Sequence, residues 1–162
     1  MSMDFRSRLQ KAIQRGRRTA EDRRRQQEQE ALNEEELRRL HSQYRLTLTE
    51  RIEQRLRELA QEFPGFQFAT VMSDRGWGAS VSRDDFSIRE GKRENLFSRL
   101  EVVVRPFSSY HVLEVAVKAT IRNKETLNTS YYQRLAEVDL ESFLQTIDHW
   151  VLHFAESYSA QE

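Results

Sequence analysis

The chain has 162 residues, no cysteine, 32% charged and 38% hydrophobic residues, and 26 bases against 26 acids. Without cysteine there can be no disulfide, thiolate nucleophile or Cys-ligated zinc, and no apolar run approaches the roughly 20 residues that cross a bilayer. The balance suits a single cytoplasmic domain, and Met1–Arg18 lacks the apolar stretch and cleavage site of a secretory signal.

The neutral total hides an asymmetry. Residues 1–25 carry nine bases (Arg6, Arg8, Lys11, Arg15, Arg17, Arg18, Arg23, Arg24 and Arg25) against three acids, whereas residues 26–62 and 63–162 are each three charges negative. The reading is a basic arm over residues 1–30 followed by a single α+β domain over residues 31–162. Phe5, Leu9 and Ile13 permit a short amphipathic helix in the arm, but Gly16 interrupts it and Arg23–Glu30 has nothing apolar to bury. Such a segment cannot offset its conformational entropy alone, so partial order is expected. An anionic partner, nucleic acid or an acidic membrane surface, would suit the arm.

Asn33 followed by Glu34, Glu35 and Glu36 reads as the N-cap of a long helix. Leu37, Leu40, Tyr44, Leu48, Ile52, Leu56, Leu59 and Phe63 recur every three or four residues, and Pro64-Gly65 ends the run. Its N-terminal half should extend past the sheet beneath it and expose Leu37, Leu40 and Tyr44, which are therefore candidate contacts of a homodimer.

The period then switches to two. Phe66–Met72, Ala79–Asp84 (continuing toward Phe86 and Ile88), Leu96–Phe107 and Tyr110–Arg122 read as four antiparallel strands. A tight turn at Ser108-Ser109 pairs Val104 with Leu113, Val102 with Val115 and Leu100 with Val117, so the apolar faces coincide. In that register Arg99 sits opposite Lys118, while Arg105 and Glu114, and Glu101 and Lys118, are diagonal neighbours. Residues 123–138 give no clear pattern. Asp139 caps a last helix whose stripe is Leu140, Phe143, Leu144, Ile147, Val151, Phe154 and Tyr158. The expected fold is two-layer α+β: a long N-terminal helix, a four-stranded antiparallel meander, and a C-terminal helix on the same sheet face.

Catalytic motifs are not apparent. His149 and His153 have the spacing of a metal-binding pair, but Trp150 stands where a zinc protease places its general base. Asp84 and Asp85, adjacent on a strand, point to opposite faces. Gly76-Trp77-Gly78 lacks the lysine and helix of a phosphate loop. No catalytic, metal or cofactor residue is assigned. Topology instead gathers Arg75, Trp77, Arg105, Phe107, Tyr110 and His111 at one end of the meander, a rim of the side-chain types that dominate binding hot spots. The polar side of the sheet mixes signs and offers no evident stacking aromatics, which argues against a nucleic-acid platform there. The expectation is a non-catalytic protein-interaction, scaffold or chaperone-like module. The alternative is a protein that binds nucleic acid or an anionic surface through its arm.

Overall fold

In a computed structural model that describes residues 4–161 (only the backbone of Leu32), the first helix, α1, runs unbroken over Phe5–Glu62. It begins at Asp4, whose Oδ1 accepts the Ser7 N–H at 2.8 Å and whose carbonyl accepts the Arg8 N–H at 3.3 Å. This corrects the start expected at Asn33: with a capped N-terminus upstream and Arg, Gln, Glu and Ala throughout, helix propensity carries the chain through Asn33. The arm is thus helical from Phe5, where partial order was expected. The chain divides into two compact units between Arg39 and Leu40. Throughout the first unit the side chains are almost all exposed, including all nine bases of the arm.

In the second unit α1 buries Leu48, Ile52, Leu56 and Leu59. The helix stops before Pro64, and Gly65 takes a φ of +103°, a left-handed conformation that side-chain-bearing residues rarely adopt. Five strands follow in strict sequence order: β1 (Gln67–Ser73), β2 (Gly76–Arg89), β3 (Lys92–Val104), β4 (Val112–Ile121) and β5 (Lys124–Arg134), each antiparallel to the next. A single 3₁₀ turn, Leu135–Glu137, leads to α2, Leu140–Ser159. The class is α+β as expected, with five strands in place of four. The additional strand is β5, drawn from the segment whose polar residues (Lys124, Glu125, Asn128, Thr129, Ser130) conceal the alternation.

One face of the sheet forms the core. Ala79, Val81, Leu100, Val102, Val104, Leu113, Val115, Val117, Ala119 and Ile121 meet Phe143, Ile147, Val151, Phe154 and Tyr158 of α2 and the buried leucines of α1. Aromatic edges close it near the end of α1: Phe63 lies 5.3 Å from Tyr158, and Phe66 lies 5.0 Å from Tyr158. On the surface between the helices, Asp148 accepts from Arg51 Nη1 and Arg55 Nε, each at 2.8 Å. Burial works against the Asp148 carboxylate, but these two arginines hold its carboxyl below the ordinary range. Asp139 occupies the N-cap position of α2 without bonding a backbone N–H; its Oδ2 accepts from Ser142 Oγ at 2.7 Å instead.

The β3–β4 register is Val104 with Val115, Val102 with Val117 and Leu100 with Ala119, two residues from the alignment expected. A two-residue slip preserves the faces, because side chains alternate with a period of two. It arises because Pro106 cannot donate to a ladder, so the chain leaves β3 early and a loop over 105–111 replaces the tight Ser108-Ser109 turn. The charges gain. Glu101 pairs directly with Lys118, Arg99 now faces Thr120, and Arg105 Nε lies 3.4 Å from Glu114 Oε1.

Candidate functional site

The expected rim exists as a place but splits into separate environments. Trp77, paired with Val104, lies on the helix-facing side, and the Arg45 guanidinium stacks 4.3 Å from its ring centroid. Glycines flank it for a steric reason: a Cβ on Gly76 would meet the Val104 carbonyl oxygen, and one on Gly78 the Val102 carbonyl oxygen. Arg105, Phe107 and His111 are organised by His41, a residue outside the expected rim. His41 Nε2–H donates to the Arg105 carbonyl at 3.1 Å, and its ring meets Phe107 edge-on at 5.7 Å. Phe107 in turn lies 5.7 Å from the His111 ring. Burial lowers the His41 pKa, the Arg105 carbonyl opposes that shift, and the charge on Arg45 adds to it. The loop is therefore tied to α1, and of the six rim residues Tyr110 is the most exposed.

Arg75 belongs to the opposite, outer face. There Glu101 has a side chain only 5% exposed, with Arg99 Nη1 at 2.7 Å and Arg75 Nη2 at 3.4 Å from its Oε2. Two adjoining hollows cross this face, one of about 180 Å³ lined by Arg75, Val103, Arg105, Lys118 and Asn128, the other of about 190 Å³ lined by Arg75, Phe97, Arg99, Lys118 and Thr120. The expectation that this side lacks aromatics is corrected. Phe97 alternates onto it with Arg99 and Glu101, as does Phe86 on β2; both lay within or just beyond the expected strands, but the polar side was read only from its charged residues.

β1 pairs with β2 only as far as Ser82, and β4 with β3 only from Arg99, so the rest of the β2–β3 hairpin forms a two-stranded ribbon. Its tip is Glu90-Gly91, both at positive φ. Its base is clamped by Asn123, whose Oδ1 accepts the Phe97 N–H at 2.8 Å and whose Nδ2 donates to the Asn95 carbonyl at 2.7 Å. On the outer face of the ribbon Phe86 is 60% exposed, Ile88 70% and Phe97 37%. The Arg93 guanidinium lies over the Phe86 ring, 4.5 Å from its centroid, and otherwise the pair faces solvent; the alternation Phe86, Ile88 was visible in the sequence, its exposure was not.

The other sequence candidates separate as follows. Asp84 and Asp85 take opposite faces, Asp85 bonding Arg83 Nε at 2.7 Å and accepting from the Tyr158 hydroxyl at 3.1 Å. His149 and His153 stack at 6.4 Å on an exposed turn of α2, and no group of three metal-ligating side chains gathers among the described residues. Leu40 and Tyr44 are half-buried within the second unit rather than laid open, and Leu37 is likewise half-buried. Between α1 and α2 a groove of about 710 Å³ is floored by Leu59, Phe63, Val151 and Ala155 and edged by Glu58 and Glu62.

These features define an α+β protein with one buried and one open sheet face. No protein-family model, curated protein or solved structure matches the chain. No helix among the described residues is long and apolar enough to cross a membrane.

Proposed function

We propose that the protein is a non-catalytic, cytoplasmic interaction module that holds a partner protein, or a second copy of itself, against its β2–β3 ribbon. The observation that carries this reading is the pair Phe86 and Ile88, 60% and 70% exposed side by side on a ribbon that leaves the sheet. Exposed apolar side chains on a projecting strand pair are costly in water and prone to edge pairing, so a contact that covers them has a physical role. Chaperone-like or scaffold behaviour follows from such a contact, and a homodimer is its simplest form. Leu37, Leu40 and Tyr44 remain secondary dimer candidates, since each is half-buried already.

The test is in-cell amine cross-linking through Lys92, a ribbon residue beside the tip, on wild type and a Phe86→Ser/Ile88→Ser variant. Wild type is expected to give defined protein cross-links that the variant loses, with melting temperature unchanged. Identical cross-link maps would overturn the reading. Sedimentation separates the two kinds of partner, a homodimer having twice the 19.3 kDa of the chain.

A second reading rests on the arm, whose nine bases are all exposed on one helix. That charge would grip nucleic acid or an anionic membrane with affinity falling steeply in salt, by roughly 10³-fold between about 50 and 200 mM if about six phosphates are contacted. Removing residues 1–25 should abolish it without altering the fold of the second unit.

A further inference from the structure

We propose that the groove between α1 and α2 receives the first turns of α1, Phe5 to Ala20, from a second copy of the chain. The contact uses neither Phe86 nor Ile88, so it goes beyond the function proposed above and stands apart from the ribbon.

The arm supplies the first observation. Phe5, Leu9, Ala12, Ile13, Gly16 and Ala20 fall on one side of the helix. Phe5 is 75% exposed and Leu9 and Ile13 are each 45% exposed, so the stripe faces solvent. By the helical period Arg6 and Arg17 border it on one side, and Arg8 and Arg15 on the other. Six bases stand against one acid between Asp4 and Ala20. An amphipathic helix with basic borders is suited to an apolar groove with acidic walls.

The groove between α1 and α2 answers that description. Its floor is Leu59, Phe63, Val151 and Ala155, and its lining carries three acids, Glu58, Glu62 and Asp148, against Arg55 alone. Asp148 holds Arg51 and Arg55, and Glu58 meets Arg55 at 3.2 Å. Glu62 enters no ion pair among the described residues. The excess is not local: residues 50–62 and α2 together hold seven acids and three arginines, a net charge of −4. Length matches as well. Arg55 to Phe63 and Phe5 to Ile13 are each eight residues of helix, about 12 Å.

Charge and apolar surface therefore select the same occupant. Nucleic acid would engage the bases and leave the stripe in water. An anionic bilayer would take up the stripe but leave the groove unfilled. A second copy satisfies both. Stripe and groove wall belong to one helix, unbroken from Phe5 to Glu62, so the occupant of each groove is the stripe of another copy. Two chains that exchange arms fill both grooves and close the assembly by two-fold symmetry.

The experiment is sedimentation equilibrium on the full chain at about 20–200 µM. Wild type is expected to form a dimer of twice the 19.3 kDa chain mass. Leu9→Glu/Ile13→Glu alters the exposed stripe, and Glu58→Lys/Glu62→Lys alters the exposed groove walls. Each should weaken the dimer by about a hundredfold or more, because a symmetric dimer carries every change twice. Both variants should keep the far-ultraviolet helicity of wild type. Mixed in equal amounts they should dimerise again, since one arm and one groove remain intact. Phe86→Ser/Ile88→Ser should leave the dimer unchanged. A monomeric wild type overturns the proposal. So does a groove variant that dimerises like wild type, which would assign association to pairing of the arms, or a mixture no larger than its parts. Loss of the dimer in the ribbon variant would assign it to β2–β3 and overturn the proposal too.

Discussion

Phe154 tests the placement of α2 over the sheet. Its side chain is 1% exposed, and its ring lies 6.1 Å from both Phe66, edge-on, and Tyr158, stacked. Phe154→Ala removes the transfer free energy of the ring, opens a cavity that α2 and the sheet cannot close, and loses the two aromatic contacts. Phe→Ala truncations at fully buried sites cost about 3–5 kcal/mol, and the paired rings place this one toward the upper end. In a domain of this size each kcal/mol lowers the melting temperature by about 2–4 °C, so a drop of about 6–20 °C is expected. The assay is urea unfolding followed by the fluorescence of Trp150, a buried residue of the same helix. Leu152→Ala is the control: Leu152 is two residues away, 68% exposed, and should shift stability by no more than about 0.5 kcal/mol. A Phe154→Ala cost below about 1 kcal/mol, or a larger cost at Leu152, would show that the face assigned to α2 is wrong.

Other outcomes follow from particular contacts. The His41 pKa lies below its ordinary 6.5 in the folded chain, so as pH falls the unfolded chain takes up the proton first. The stability it contributes is complete above about pH 6.5 and is lost as pH falls through the folded value, and His41→Gln should flatten that part of a plot of urea midpoint against pH. Asp148→Asn removes the carboxylate that both Arg51 and Arg55 reach; with partial solvent screening the expected loss is about 1–2 kcal/mol by chemical denaturation. Gly16→Ala meets open space in mid-helix and should raise far-ultraviolet helicity, by an amount corresponding to about 0.5–1 kcal/mol. Gly78→Val should destabilise by about 1–3 kcal/mol or more, because its side chain would enter the β3 backbone.

Where burial dictates residue choice, the fold was legible. The stripe from Leu48 to Leu59, the stripe of α2 and the apolar faces of β3 and β4 read directly as helix and strand, because only one period places each set on one surface. β5 was illegible for the complementary reason: at the edge of the sheet its outer side chains meet water, so polar residues dilute the alternation. The loop length at Pro106 was missed because a two-residue slip leaves the hydrophobic pattern unchanged, and only the like-charge pair Arg99–Lys118 hinted at it. The site was less legible than the fold. His41 and Asn123 act through partners 64 and 26 or 28 positions away in sequence, and Glu101 joins its strand neighbour Arg99 to Arg75, 26 positions away, so no local spacing marks the three as a set. Arg75 and Trp77 were placed at the correct end of the sheet, but strand alternation and the turn send them to opposite faces.

The strand order also has a consequence for synthesis of the chain. Every strand pairs with its predecessor, so the sheet can grow hairpin by hairpin from local contacts, the kind of topology that folds without long searches. The apolar face, however, receives Phe143, Ile147 and Phe154 only when α2 leaves the ribosome. Until then a nascent chain carries a complete sheet with half its cover missing, at a stage when exposed strands aggregate most readily. α2 is thus made only after the whole of the sheet that it covers. Chains interrupted before Leu140 should be recovered as aggregates, whereas chains that include Ser159 fold.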